Sequence, residues 1–154
     1  MKTLLIFTAI IVLLIVAYFI HHKRKQTAKM LIEDFLSILS SSFHEIKWEL
    51  ELGDNAKQFK SSPDILASRI MFRLRPIMEP ELKQLLLCIN CFPSGKFKYF
   101  SGDEVTNRFV KMTLTQIKKL QEGTFYDQLP QKEVLENFFI TMEKNIHTLL
   151  SKDP

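Results

Sequence analysis

The stretch IKWELEL, residues 46–52, decides the fold class that the sequence predicts. Its apolar residues alternate strictly with charged ones, which is the pattern of a strand with one buried face. The apolar set is Ile46, Trp48, Leu50 and Leu52. Turn-forming residues, GDN at 53–55, close the stretch. We therefore predict a half-buried strand, followed by a loop over residues 53–68 with one turn of helix after residues 62–63, Ser-Pro.

A second alternating stretch, IMFRLR at residues 70–75, predicts a partner strand that stops at Pro76. The polar face of the first stretch is mostly acidic and that of the second is basic, so antiparallel pairing would place opposite charges across from each other. Residues 96–100, KFKYF, alternate in the same way. Residues 108–114, RFVKMTL, fit a strand or a helix, and we favour a strand that gives way to a helix near Thr115.

Three further stretches carry the apolar spacing of amphipathic helices. Residues 28–42 predict a stalk helix, residues 79–92 a helix with Pro80 in its first turn, and residues 131–151 a helix with a wide apolar stripe. The order of these elements predicts an α+β domain, in which an antiparallel sheet of about three to four strands packs against helices.

An apolar run precedes the domain. Residues 3–20, TLLIFTAIIVLLIVAYFI, contain no charged residue. Eighteen to twenty helical residues span roughly 27 to 30 Å, the thickness of a hydrocarbon core. A cleaved signal peptide has a shorter apolar core and small residues before the cut, and a helix apolar on every face is unusual inside so small a domain. We therefore predict an uncleaved signal-anchor at residues 1–25, crossing the membrane once through residues 3–20, and a single soluble domain at residues 26–154.

The charge distribution predicts the orientation of that span. Four of the 21 Lys and Arg residues, Lys2, Lys23, Arg24 and Lys25, precede residue 26, which leaves 17 to balance 17 Asp and Glu. The whole excess charge of +4 therefore flanks the apolar run. Cations stay on the cytoplasmic side of a membrane, so the cluster Lys23, Arg24 and Lys25 predicts a cytoplasmic domain. A neutral domain gives no reason to expect a nucleic-acid partner.

Cys88 and Cys91 form the pair C-x-x-C, which is found in dithiol redox sites and in halves of metal sites. A reactive cysteine usually opens a helix, whereas this pair closes a predicted one, within the apolar run LLLCINCF. Zinc needs two more ligands, for which the domain offers His44 and His147. We interpret both cysteines as ordinary buried residues, with a redox or metal pair as the alternative. His44 and Glu45 are adjacent, so on a strand they would face opposite ways and share no site.

No residue pattern in the chain predicts catalysis, a metal or a cofactor. The leading hypothesis is a single-pass membrane protein whose small domain binds a protein partner at the membrane surface, as a tether or accessory subunit. The alternative is a membrane-held enzyme or ligand-binding domain with a pocket between sheet and helices. Perturbed titratable residues in a concave pocket would favour the alternative, and an exposed apolar patch would favour partner binding.

Overall fold

The computed structural model describes residues 2–55, 62–88, 92, 103–124 and 128–151. These residues form four α-helices and no strand. The helices are α1 (Lys2–Asn55), α2 (Pro63–Leu86), α3 (Glu104–Glu122) and α4 (Lys132–Ser151). The predicted α+β class and its antiparallel sheet are therefore wrong. The predicted strand at residues 96–100 lies outside the described residues.

Helix α1 runs without a break from the apolar run through the predicted stalk. Its 54 residues correspond to about 80 Å of helix. Neither Gly nor Pro occurs before Gly53, so nothing in the sequence interrupts the helical hydrogen bonds. Side chains 6–27 are exposed, and Ala28 is the first buried residue. The outer part of α1 is long and apolar enough to cross a membrane, with an 18-residue window of mean hydropathy 2.0 in which nothing is buried.

The stretch IKWELEL lies in α1 and is helical. In a helix, residues four apart share a face, so the alternating set separates into two pairs. Ile46 and Leu50 pack against the core, while Trp48 and Leu52 are exposed on the other side. The alternation of apolar and charged residues in this stretch thus arose because two different faces of one helix each carry a pair of apolar residues. Residues 53–55, interpreted as a turn, continue the same helix.

The second predicted strand lies in α2, which begins at Pro63 and extends far beyond the single turn expected there. Ile70 and Leu74, four residues apart, are fully buried, whereas Phe72 between them is 81% exposed. The expected pairing of opposite charges does occur, but between helices: the guanidinium of Arg73 donates to Glu49 at 2.5 Å. Complementary charge thus correctly predicted that these two stretches lie side by side, but not that both are helical.

Pro76 did not end its element, because α2 continues through Pro76 and Pro80 to Leu86. A proline has no N–H to donate to the carbonyl four residues earlier. The carbonyl of Phe72 therefore receives no bond from Pro76, and the carbonyl of Pro76 receives none from Pro80. All three residues are exposed, so both prolines lie on the outer face of the helix. The inner face of the helix buries enough apolar surface to offset a cost of about 3 kcal/mol per interior proline. The helix predicted at residues 79–92 is the second half of α2; beyond Leu86, residues 87–88 form a turn.

Residues 108–114 also belong to a helix, since α3 begins at Glu104 and not near Thr115. Phe109, Val110, Thr113 and Leu114 are all buried, a spacing that only a helix places on one face. The prediction for residues 131–151 is confirmed by α4. The stalk predicted at residues 28–42 is helical as part of α1.

The four helices pack in a ring in which α1 and α4 each contact α2 and α3. One continuous core joins all four helices and includes the inner face of α1 from Ile32 to Phe43. At its centre the rings of Phe43 and Phe109 stack with centroids 4.1 Å apart. Helix α1 is therefore both the apolar outer segment and one wall of the domain. The division at residues 25 and 26 stays a prediction, and no hinge separates the two parts of the helix.

The matched pair Leu74→Ala and Phe72→Ala distinguishes the helix from the expected strand. On a half-buried strand both residues would share the core face, and both changes would destabilise the domain. On α2 only Leu74 is buried, so Leu74→Ala should lower the free energy of unfolding by about 2–5 kcal/mol and Phe72→Ala by less than about 0.5 kcal/mol. Urea titration of the full chain in mild detergent, followed by circular dichroism, measures both. Equal losses would contradict the helical assignment.

Candidate functional site

Among the described residues, an open groove lies along the seam between α2 and α4. It consists of two connected parts, with volumes of about 520 Å³ and 240 Å³. Both parts are lined by Ser68, Ile140 and Glu143. The larger part extends to Asp64 and His147, towards the start of α2 and the end of α4. The smaller part has Phe72, Arg75 and Phe139 on its walls. We call this surface the α2–α4 groove.

Polar contacts across the seam fix the two helices in an antiparallel register. Nε2 of His147 lies 3.0 Å from Oδ1 of Asp64. The Ser68 hydroxyl donates to Glu143, and the Arg75 guanidinium donates to Glu136. Along α2 the bonded residues are 64, 68 and 75, and their respective partners on α4 are 147, 143 and 136, so the two helices run antiparallel. The spacings of four and seven residues place each set on one face of its helix.

Arg75 forms the last pair of this register along α2. The guanidinium lies over the Phe139 ring, 4.7 Å from its centroid, a cation–π contact that adds to the bond with Glu136. The bond to Glu136, with the nearby charges of Glu136 and Glu79, raises the pKa of Arg75 above its ordinary value in spite of desolvation. Arg75 is therefore a permanent cation whose planar head joins α2 to α4, a role in which lysine would lose the stacking.

Glu79 extends the network along α2. The ammonium of Lys83 lies 2.9 Å from its carboxylate, and this bond outweighs desolvation and lowers the pKa of Glu79. Nε of Arg75 lies 3.9 Å from the same carboxylate. These shifts favour the charged forms of both groups, which is the signature of structural ion pairs. A general acid or base needs a pKa brought towards neutrality instead.

The groove carries exposed apolar residues on its rim. Phe72 is 81% exposed and Ile140 is 51% exposed, and both line the smaller part. Phe139 and Met71 lie below them and belong to the core. Ile65, two turns before Phe72 on the same outward face of α2, is also exposed. Phe72, Ile140 and Ile65 thus leave apolar surface exposed beside the bridged polar groups of the seam.

Asp64, His147 and Ser151 contain the residue types of a hydrolytic triad, but their geometry differs from one. In a triad the carboxylate and the hydroxyl contact different ring nitrogens, so that the imidazole relays a proton between them. Here Asp64 and the Ser151 hydroxyl both lie against Nε2 of His147, at 3.0 Å and 3.4 Å. The Ser151 hydroxyl donates to the His147 carbonyl at 2.8 Å. The cluster therefore connects the two helices and has no nucleophile–base pair.

Of the residues singled out from the sequence, His147 lines this groove, whereas Lys23, Arg24, Lys25, His44 and Cys88 do not line it. Lys23, Arg24 and Lys25 are exposed on α1, beyond the apolar segment. Cys88 is a half-buried free thiol in the turn that follows α2. Cys91 lies outside the described residues, so the interpretation of the C-x-x-C pair stays a prediction. Within the described parts of the chain, no three His, Cys, Asp or Glu side chains are close enough to hold a metal ion.

His44 and Asp103 meet where α3 begins beside α1. Nδ1 of His44 lies 3.8 Å from Oδ2 of Asp103, whereas adjacent Glu45 is on another face of the helix. Asp103 is the N-cap of α3 and accepts from the backbone N–H groups of Val105 and Thr106. Burial raises the pKa of Asp103, but the bonds from Thr106 and Val105, with the charge of Lys47, outweigh burial and lower it.

Comparisons of the chain with protein-family models, curated proteins and solved structures find no match. Function is therefore inferred from the surface of the described residues.

Sequence reasoning missed the groove because its residues belong to no local motif. The bonded pairs Ser68–Glu143 and Arg75–Glu136 are separated by 75 and 61 positions in the chain. One available signal was Phe72, whose neighbours Arg69, Arg73 and Pro76 make an outward helical face that is otherwise polar or helix-breaking.

Asp103 generates a prediction about pH. Because its pKa is lower in the folded chain than in the unfolded chain, the carboxylate stabilises the fold at neutral pH. That stabilisation is complete above the ordinary value of about 3.9 and is lost as the pH falls through the lower folded pKa. Asp103→Ala should cost about 0.5–2 kcal/mol at pH 7, and the difference from wild type should shrink below about pH 4.

Unfolding of the full chain by urea at several pH values measures this effect. Glu122→Gln is the matched control, since it removes an exposed carboxylate from the other end of α3. A difference between Asp103→Ala and wild type that persists undiminished at pH 3 would show that the carboxylate charge contributes nothing to the cap.

Proposed function

We propose that the protein is a single-pass membrane-anchored tether or accessory subunit whose four-helix domain binds a protein partner. The exposed apolar rim of the α2–α4 groove, above all Phe72, is the observation that carries the proposal. The anchor and the partner surface are supported by separate features of the structure.

The apolar part of α1 supports the anchor. A core helix of a soluble protein passes the same test of length and composition, but it is mostly buried, whereas none of this window is. Leaving such a helix in water would expose an apolar surface far larger than the few hundred Å² found on soluble proteins. A cleaved signal peptide would free the domain, but the helix continues without a break into the core, so a cut near residue 20 would fall inside α1.

The cluster Lys23, Arg24 and Lys25 supports a cytoplasmic domain. In the sequence, Lys2 precedes the apolar run, whereas three consecutive cations follow it. The bias therefore favours retention of the C-terminal side in the cytoplasm.

The position of the groove supports a protein partner and not a membrane lipid. Glu49 holds Arg73, the neighbour of Phe72, at 2.5 Å, so Phe72 lies close to the level of Glu49 along α1. From Lys25 to Glu49 the helix rises about 36 Å. A headgroup layer extends only about 5–8 Å beyond the hydrocarbon. A groove between antiparallel helices with an apolar rim fits an amphipathic helix of a partner.

A membrane-held ligand-binding domain is the second candidate. Asp64, Ser68, Glu143 and His147 around the larger part of the groove favour it, because they offer donors and acceptors to a polar ligand. The pocket expected between sheet and helices does not exist, since the described residues form no sheet. The groove is open, and its polar groups are bonded to one another across the seam. Binding of a protein partner accounts for the exposed apolar residues on the rim of the α2–α4 groove, whereas binding of a polar ligand does not.

The anchor and its orientation are tested together in a bacterial expression host. The chain should stay full-length and resist alkaline carbonate extraction. With a C-terminal fluorescent protein or alkaline phosphatase as reporter, fluorescence without phosphatase activity is expected, because the cations hold the domain in the cytoplasm. Changing Lys23, Arg24 and Lys25 to Asn should weaken that preference. A shortened chain in the carbonate supernatant would disprove the anchor, and phosphatase activity alone would reverse the orientation.

The partner surface is tested by a photo-crosslinking amino acid at Ile140 in cells that express the native chain. A discrete adduct is expected, and Phe72→Asp, which places a charge on the same rim, should reduce its yield about tenfold or more. Thr115→Asp, on an exposed part of α3, is the matched control and should leave the yield unchanged. Equal loss in both variants, or no adduct at any position on the rim, would count against docking in the α2–α4 groove.

A further inference from the structure

We infer that Lys23, Arg24 and Lys25 form a binding site for the phosphate groups of anionic lipids. This inference rests on the proposed anchor and goes beyond it, since a span needs no particular lipid. The three side chains are exposed on consecutive positions of α1. At about 100° per residue they point to three directions around the helix and cover more than half of its circumference. A surface of this kind faces the surrounding headgroups and not one neighbouring protein.

The charge of this cluster is uncompensated. No Asp or Glu occurs before Glu33, which is eight residues, or about 12 Å of helix, beyond Lys25. Lys29 is the next cation, and it lies 3.9 Å from Glu33. Among the described residues no acidic side chain forms an ion pair with Lys23, Arg24 or Lys25. Some cations of the domain are paired by contrast, among them Arg73 with Glu49 and Lys83 with Glu79.

The height of the cluster matches the phosphate layer. Tyr18 is exposed and stacks on His22 with centroids 6.2 Å apart, an aromatic pair at the end of the apolar segment where an interfacial belt is expected. From residue 20 to Lys25 the helix rises about 7.5 Å, within the 5–8 Å headgroup layer. The first buried residue, Ala28, lies only about 4.5 Å beyond Lys25, so no partner domain has room between the cluster and the bundle.

The chemistry of the three side chains suits phosphate. The guanidinium of Arg24 presents a planar set of donors that can bind two phosphate oxygens, and the lysine ammonium groups act as compact charges on flexible stems. Each cation near an anionic membrane surface contributes about 1 kcal/mol, so three together predict a preference that one lysine would not produce.

The full chain is reconstituted in nanodiscs of phosphatidylcholine with a minor fraction of phosphatidylserine or of a phosphoinositide, and the lipids retained on transfer to mild detergent are counted by mass spectrometry. Lys23→Gln, Arg24→Gln and Lys25→Gln are combined in one variant. The control combines Lys118→Gln, Lys119→Gln and Lys132→Gln, which removes the same charge from exposed positions of the domain. Wild type and control should retain anionic lipid over phosphatidylcholine, and the cluster variant should lose about tenfold of that enrichment.

Enrichment should also fall as salt concentration rises, because the cations are exposed. Equal enrichment in the cluster variant and the control would overturn the inference, as would complete competition by millimolar inorganic phosphate, which would indicate a site for free anions. Insertion into pure phosphatidylcholine, scored by carbonate resistance, is a separate readout. The cluster variant should pass it, and failure of wild type there would overturn the anchor itself.

Discussion

The continuity of α1 is the constraint on which the rest of the structure depends. One hydrogen-bonded helix contains an apolar segment with no buried side chain, an exposed basic cluster and the inner wall of the core. The hydrogen bonds between residues four apart restrain φ and ψ inside a helix, so these parts keep nearly constant distances and a constant rotation about one axis. The side of α1 that packs against α2 and α3 is set by Phe43 and its neighbours, and this choice also fixes which way the groove faces around the axis. If the apolar segment spans a bilayer as proposed, the length of α1 sets the distance of the groove from that bilayer.

The helices at the two ends of the chain were predictable, and the fold class was not. Residues 131–151 carry one wide apolar stripe whose spacing fits a helix and not a strand. The apolar run at residues 3–20 predicted a helix by its length alone. In α1 and α2 the exposed residues Trp48, Leu52 and Phe72 broke the helical period and imitated alternation. Side-chain type favoured helix even there: Lys47 and Glu51 form an ion pair at 3.6 Å with the helical spacing of four, and neither stretch is rich in β-branched residues.

The same exposed residues explain why the candidate surface was missed. A pattern based on burial assumes that every large apolar residue faces the core, and Phe72 violates that assumption. The polar half of the surface was missed for another reason. Asp64, Ser68 and Arg75 reach their α4 partners His147, Glu143 and Glu136 only when α4 lies alongside α2, and no local sequence rule reports contacts between residues more than sixty positions apart. The basic cluster was visible because three consecutive cations beside an apolar run are local by nature.

Two features of the described chain lack partners within it, and their separation determines what each can contact. In the proposed membrane arrangement the basic cluster lies at the headgroup level, and the rim of the groove lies about 36 Å farther along α1. Charges are screened over about 8 Å at physiological salt, so anionic lipids at one site exert little electrostatic influence on the other. A lipid headgroup bound to the cations would therefore not contact Phe72, and the membrane charge would not increase the affinity of a partner helix that covers Phe72. The two surfaces are linked only mechanically, because rotation or tilt of the span carries the groove with it through one uninterrupted helix.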